Sequence, residues 1–298
     1  MAKLPARNFC NALIVLTLFL WIIIAMTGIL PHRINYFGRR SFSCNFPVKP
    51  EHMNAVPLQR IHAITSTYAR LTQKADLTRL IQTLMHLSNF HWILIEDSEE
   101  KTPLVTKLLQ RSGLNYTHLN KKNGEQVGGV KDLLTRNAAL AWVRENLGPD
   151  DGIVYFMDDD NTYDLRVFED MRSTKVASIW PVALVGGLKV EGPVRCKNGQ
   201  VLTWRAMWKP NRTIPVDMAG FAISTALLRQ RPDVNFVGVG DLESKFLGDL
   251  GLTRNQMEAK GNNCTEVYVW HTQTMKASAP HEEKAAELGE EYNPSFET

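Results

Sequence analysis

Asp158, Asp159 and Asp160 stand consecutively at the end of Gly152-Ile153-Val154-Tyr155-Phe156-Met157, an apolar run that reads as a buried strand. Adjacent carboxylates repel, and burying one unpaired costs on the order of several kcal/mol. A cation is therefore required nearby, and an all-oxygen set suits Mg²⁺ or Mn²⁺ better than zinc. At the carboxyl end of a strand in an open α/β sheet, where ligands bind, such a group points to a metal-and-phosphate site. The plain alternative is a solvated acidic turn. An EF-hand loop fits poorly, because Tyr163 occupies the sixth position, where that loop takes glycine.

The elements that position this triplet follow from periodicity. Strand patterns fall at 61–66, 91–97 and 116–119. Helical patterns fall near 77–85 (Leu77, Leu80, Ile81, Leu84 and Met85 on one face), 103–110 and 132–145. Alternation with crossovers of this length implies a parallel, doubly wound sheet. The second half is less regular: 176–185 and 201–208 read as strands, 226–230 and 242–250 as short helices, and 267–271 as a late strand. There is no internal repeat. Neither GxGxxG nor GxxxxGK[ST] occurs, which argues against a dinucleotide dehydrogenase or a P-loop enzyme.

With 298 residues, 44% hydrophobic and 22% charged, the chain can bury a sizeable core. A net charge of +3 without a Lys/Arg-rich run gives no reason to expect nucleic acid as a partner. Residues 9–30 carry no charged side chain and as a helix would span roughly 30 Å, a bilayer core. That run exceeds the roughly 7–15 apolar residues of a cleaved signal peptide, so a retained single-helix anchor is expected, after a tail at 1–8. Residues 31–58 read as a stem and 59–298 as the main domain. Three sequons, at Asn115, Asn211 and Asn263, all follow the anchor and favour a lumenal domain. Four cysteines are too few for a disulfide scaffold. Cys196 and Cys264 are able to pair in an oxidising lumen, and Cys44 is able to link two chains, but spacing decides neither.

Several blocks then appear in order: Thr67-Tyr68-Ala69-Arg70, Ile95-Glu96-Asp97, Arg136-Asn137, Asp158 to Tyr163, Trp180-Pro181-Val182, Gly186-Gly187-Leu188, Glu191-Gly192-Pro193, Pro215 to Ala222, Leu242-Glu243-Ser244, Asn263-Cys264-Thr265 and Val269-Trp270-His271-Thr272. Over about 60–275 the chain resembles the beta-1,3-glucuronosyltransferase family. The resemblance implies a GT-A-type α/β fold, with a Rossmann-like nucleotide-binding sheet (59–160) joined to a mixed-sheet acceptor half (161–298). It implies an inverting transfer of glucuronic acid from UDP-glucuronate to the 3-OH of a terminal galactose, with Mn²⁺, by a type II Golgi membrane protein that forms homodimers. Trp208 to Arg212 followed by Pro215-Val216-Asp217 resembles the members that act on the Gal-Gal-Xyl proteoglycan linker. Members acting on N-acetyllactosamine ends, and a catalytically silent scaffold or lectin of the same fold, remain as alternatives.

By the same resemblance, Asp160 is the metal ligand, Asp159 binds the ribose and Asp158 orients the donor. Thr67, Tyr68 and Asp97 receive the uridine, Arg136 and Lys131 face the donor or the acidic cluster, and His271 donates to the pyrophosphate. Glu243 is the general base, since an inverting transfer needs one carboxylate at the acceptor hydroxyl. Glu191, Trp208, Arg212 and Asp217 line the acceptor. Glycans are expected on Asn115 and Asn263, and none on Asn211, which adjoins Arg212. Without the resemblance, Tyr68 reads as a core aromatic, Arg136 as a solvated helix cation and His271 as a satisfied core residue. Two departures stand out: Gln273 where the family usually has arginine, and Lys131, which keeps a charge without the guanidinium fork.

Overall fold

The strand that ends in the aspartates is hydrogen-bonded on both sides. A computed structural model describes residues 58–123, 132–238 and 240–288 of the chain. In it β1 (Ile61–Thr67), β2 (Phe90–Glu96), β3 (Tyr116–Asn120) and β4 (Ile153–Asp158) run parallel in the spatial order β3-β2-β1-β4. Helices α1 (Gln73–Leu84), α2 (Pro103–Ser112) and α3 (Leu133–Asn146) alternate with them in the chain, as the periodicity predicts. Helix α1 buries Leu77, Leu80, Ile81 and Leu84, but it ends there; Met85 turns out to solvent instead of extending the buried face.

Register decides where the chemistry gathers. Thr67 pairs with Glu96, and Ser66 with Asp158, so the carboxyl ends of β1, β2 and β4 are level. Tyr68, Asp97 and Asp158 to Asp160 leave the sheet along one edge, the crevice side of a doubly wound sheet.

The second half adds β5 (Thr162–Tyr163), α4 (Leu165–Met171), β6 (Ala177–Ile179), β7 (Val182–Ala183), β8 (Val190–Lys197), β9 (Gln200–Arg205), β10 (Phe221–Ser224), α5 (Thr225–Gln230), α6 (Leu242–Asp249), β11 (Glu258–Ala259) and β12 (Val269–Trp270). Three of these strands extend the first sheet to β11-β6-β10-β4-β1-β2-β3, with β10 antiparallel to both neighbours. The others form a mixed sheet in the order β5-β12-β7-β8-β9. The single strand expected over 176–185 is therefore two strands in different sheets. The break falls at Trp180-Pro181: Trp180 N–H still reaches Gly220 O at 3.1 Å, but Pro181 has no N–H to continue the ladder. The strand expected over 201–208 closes at Arg205, which leaves Trp208 in the following loop.

Alternate side chains of the first sheet feed two core layers. Ile64, Ile93, Val154 and Phe156 face one, and Ile61, Ala63, Trp92 and Tyr155 face the other. On the first face Phe236 stacks on Phe246 at 4.1 Å between ring centroids, and both rings meet Phe156 of β4. Phe246 belongs to α6, so this aromatic group fixes the helix that carries Glu243 against the triplet's own strand. On the second face Tyr155 Oη and Trp180 Nε1 both donate to the carbonyl of Ala219, at 2.9 and 3.0 Å.

Cys196 and Cys264 are joined by a disulfide, which settles the pairing that spacing left open. The expected anchor, the stem up to residue 57, Cys44 and Lys131 lie outside the described residues. Among the described residues no helix is long and apolar enough to cross a membrane.

Candidate active site

The three aspartates meet three different surroundings. Asp158, at the end of β4, accepts from Arg136 Nη2 at 3.2 Å and from Asn161 Nδ2 at 3.2 Å. Asp159 is buried and accepts from Arg70 Nη2 at 2.8 Å and Thr67 Oγ1 at 2.6 Å. Burial pushes the Asp159 carboxyl up, and Arg70 and Thr67 oppose that shift. Asp160 is half-buried; its Oδ2 accepts the backbone N–H of Thr274 at 3.0 Å, and its carbonyl accepts from Thr272 Oγ1 at 2.9 Å. Oδ1 of Asp160 has no hydrogen-bond partner among the described residues, so the last acid is the open one.

Expected donor contacts gather along the same edge. Tyr68 is not a core aromatic: it is 41% exposed, with the Arg70 guanidinium 4.7 Å from its ring centroid. Asp97 donates its N–H to Thr67 O at 2.8 Å and accepts from Asn123 N–H at 2.8 Å, which holds its carboxylate at the strand end. Thr67 differs from the expectation. Its side chain is buried, donates to Asp159 and accepts from Gln73 Nε2 at 3.1 Å.

Around Asp158 a second group converges. His271, following β12, places Nδ1 3.9 Å from Asp158 Oδ2 and 4.0 Å from Asp217 Oδ2. Its Nε2 meets Gln273 Nε2 at 2.8 Å. Burial, followed by the Asp158 charge, pushes Asp217 up to about 6, against the pull of His271 and Arg136. Glu243, in the first turn of α6, is pushed up to about 7 by burial and then by Asp217, while Arg136 and Arg212 pull it down. A carboxyl that exchanges its proton near neutrality suits general acid–base work.

Glu191 and Arg212, whose charge reaches Glu243, are both buried and form an ion pair at 2.5 Å. Glu191 Oε2 and Arg212 Nε have no hydrogen-bond partner among the described residues. A Cβ at Gly186 would collide with Glu191 Oε2, so glycine there keeps that oxygen's place. Trp208 is 43% exposed, with Lys209 Nζ and the Arg212 guanidinium each 5.0 Å from its ring. Asn115, Asn211 and Asn263 are all exposed.

Sequence reasoning gave no role to Arg70, Asp76 or Thr274. Arg70 Nη2 lies 2.8 Å from Asp159 and 2.8 Å from Asp76, and Thr274 Oγ1 donates to Asp76 Oδ1 at 2.7 Å. The demand for a cation beside three acids was the available signal for Arg70, in the loop that follows β1. Thr274 carried no signal, since its partners lie 114 and 198 residues away.

Among the described residues no three His, Cys, Asp or Glu side chains are arranged to hold a metal. One open carboxylate oxygen on Asp160 instead fits a hard divalent cation that takes its other ligands from substrate phosphates and water. A dedicated protein cage is not what the chain builds.

The parallel-cored sheet, the mixed second sheet and the acids at the end of β4 make this a GT-A-type glycosyltransferase fold. The family model "Glycosyltransferase family 43" matches residues 80–275, and the chain belongs to that family. It is similar to galactosylgalactosylxylosylprotein 3-beta-glucuronosyltransferase 1 of Rattus norvegicus, at 44% identity over 243 residues, 76% of this chain and 72% of the relative. It is also similar to galactosylgalactosylxylosylprotein 3-beta-glucuronosyltransferase 3 of Homo sapiens, at 42% over 275 residues, 84% and 81% of the two chains. Among solved structures it is similar to S. aureus TarS 1-349 in complex with UDP-GlcNAc, with a TM-score of 0.48 and 16% identity, covering 74% of this chain and 60% of that one.

Proposed function

We propose that this protein transfers glucuronic acid from UDP-glucuronate to the 3-OH of the terminal galactose of a Gal-Gal-Xyl linker, with inversion and with Mn²⁺. The observation that carries the reading is Glu243. It stands in the first turn of α6, which Phe246 packs onto Phe156 of the strand ending in the aspartates, and burial raises its carboxyl to about 7. The names of the relatives supply the donor sugar and the acceptor class.

In this reading Glu243 takes the proton of the galactose 3-OH as its oxygen attacks the anomeric carbon. The bond from that carbon to the UDP oxygen breaks on the opposite face, and its electron pair leaves with UDP. Asp160 would hold a divalent cation, and the chemistry it would supply is charge neutralisation at the diphosphate. Tyr68 and Asp97 hold the uracil, and Asp159, pinned by Arg70 and Thr67, lies beneath the ribose. Arg136 and His271 line the path of the sugar and phosphates. Trp208 offers its ring to a galactose face, and the buried Glu191–Arg212 ion pair holds the Arg212 guanidinium against that ring.

A single-pass type II anchor, a lumenal Golgi domain and a homodimer accompany this reading. The Cys196–Cys264 disulfide and the exposed Asn115 and Asn263 support an oxidising, glycosylating compartment. Protease protection of the full chain in sealed microsomes tests the topology, and light scattering tests the dimer. The function itself is tested by turnover of UDP-glucuronate with Mn²⁺ on Gal-Gal-Xyl and Gal-GlcNAc acceptors. Transfer to Gal-Gal-Xyl alone is expected. Preference for Gal-GlcNAc overturns the acceptor assignment, and no transfer to any galactose-ended acceptor overturns the enzyme.

A further inference from the structure

A nucleotide-sugar diphosphate gains negative charge as its sugar leaves, and sites that promote the departure surround it with cations. Beyond a metal on Asp160, most of the cations described near the triplet are already committed. Arg70 is divided between Asp76 and Asp159, Arg79 lies on Asp76 at 2.8 Å, Arg136 is on Asp158, and Arg212 is buried on Glu191. His271 Nε2 accepts from Gln273 Nε2. Lys276, beside the end of the strap that follows β12, makes no ion pair among the described residues.

Its position follows from the short strap after β12. Thr272 Oγ1 donates to the Asp160 carbonyl, and Thr274 N–H donates to Asp160 Oδ2. Gln273 adopts φ 50°, which turns the chain so that its own side chain meets His271 while Thr274 Oγ1 reaches Asp76. The strap is thus tied to the proposed metal ligand and to α1, and Lys276 follows two residues beyond the tie. There Lys276, Thr274, Tyr68, Arg70 and Thr72 wall a cavity of about 590 Å³. An exposed tyrosine ring, the Asp160 strap and an unpaired ammonium around one cavity form a set suited to a nucleoside diphosphate.

Building on the donor reading above, we infer that Lys276 is the side chain that pairs with the diphosphate of the bound nucleotide. It is a binding residue with no part in proton transfer. A lysine on a flexible stem serves here as a point charge that closes on the phosphates once the base is seated.

Ligand-observed NMR with Mg²⁺, which avoids paramagnetic broadening, tests this on the whole lumenal chain with UDP and with uridine as probes. For Lys276→Ala the expected result is a five- to tenfold weaker Kd for UDP, with uridine affinity changed less than twofold and an unchanged melting temperature. Lys276→Arg should keep UDP affinity within about twofold, and raising salt should narrow the gap between wild type and the alanine variant. Equal weakening of UDP and uridine would make Lys276 a structural residue and overturn the inference. Unchanged UDP binding in the alanine variant overturns it while leaving the donor reading intact. Wild-type protein that binds no UDP overturns both.

Discussion

Arg70 stands midway between Asp159 and Asp76, 2.8 Å from each, and this divides the aspartate triplet by function. The middle acid is neutralised inside the protein, the first is held by Arg136, and only the last offers a free oxygen. Three consecutive carboxylates thus leave one oxygen open, and the repulsion among them is met by two arginines from different elements.

Replacing Glu243 by Gln separates chemistry from binding. Transfer should fall about 10²- to 10⁴-fold, the usual contribution of a general base, while UDP affinity stays within twofold. Stability should move the other way. The folded carboxyl titrates near 7 against 4.5 when unfolded, so its burial weakens the fold as pH rises through that window. Urea unfolding at pH 8 should therefore show Glu243→Gln more stable than wild type, by up to about 3 kcal/mol, with the gap closing toward pH 4.

The pH dependence of kcat/KM reads the same group. Activity should rise with pH through about 7 as Glu243 loses its proton. Arg136 lowers the affinity of both Glu243 and Asp217 for protons, so Arg136→Gln should move the rising limb to higher pH. A limb that stays in place while the rate drops would assign Arg136 to donor binding alone.

Metal removal should silence the enzyme without unfolding it. Only one open carboxylate serves the cation, so little folding free energy depends on it. Excess EDTA is expected to abolish transfer and leave the melting temperature of the ligand-free protein within about 1 °C, as read by circular dichroism. Asp160→Asn should lose UDP affinity that added Mn²⁺ no longer restores.

Two buried histidines predict acid sensitivity at the opposite end of the sheet. His62 Nε2 meets the Asp151 carbonyl, which only accepts, so His62 Nδ1 is left to accept from His91 Nδ1, and Thr117 Oγ1 donates to His91 Nε2. Both rings are neutral in this chain of bonds. Burial, helped by His62 and Arg60, pushes His91 down to about 4 from 6.5. The stability held by the pair is complete above 6.5 and is lost as pH falls toward 4, amounting to roughly 2 kcal/mol at pH 5. Denaturant midpoints at pH 7.5 and 5 measure it, and His91→Gln should flatten the difference.

Reduction of Cys196–Cys264 should lower stability by about 4 kcal/mol, the chain-entropy estimate for the 68-residue separation it closes. Melting with and without reductant checks the sign, and the oxidised protein should run as an unlinked monomer on denaturing gels if Cys44 does not bridge.

The sequence is legible where local patterns and fold agree. Strands β1, β2 and β4 are continuous apolar runs, and α1 repeats its leucines at helical spacing, so the parallel core and the acids at its edge follow directly. The break at Trp180-Pro181 was hidden because Val, Ala, Ile and Leu continue on both sides of it. Strand β8 escaped notice because Glu191, Gly192, Pro193 and Arg195 carry little strand propensity; it is held by pairing with β7 and β9. The roles of Thr274 and Lys276 depend on a strap folding back onto Asp160 and Asp76, a relation that no local spacing encodes.

The Ala219 carbonyl, with Tyr155 and Trp180 both donating to it, has a consequence for how such a protein can change. That oxygen ties the segment leading from Asp217 to the strand that ends in the triplet, so the sugar-accepting wall inherits its position from the nucleotide sheet. Met207, Trp208 and Lys209 sit outside the tie and are exposed. Changes in that outer loop thus leave the spacing between α6 and the end of β4 set by the buried Phe156, Phe236 and Phe246 rings.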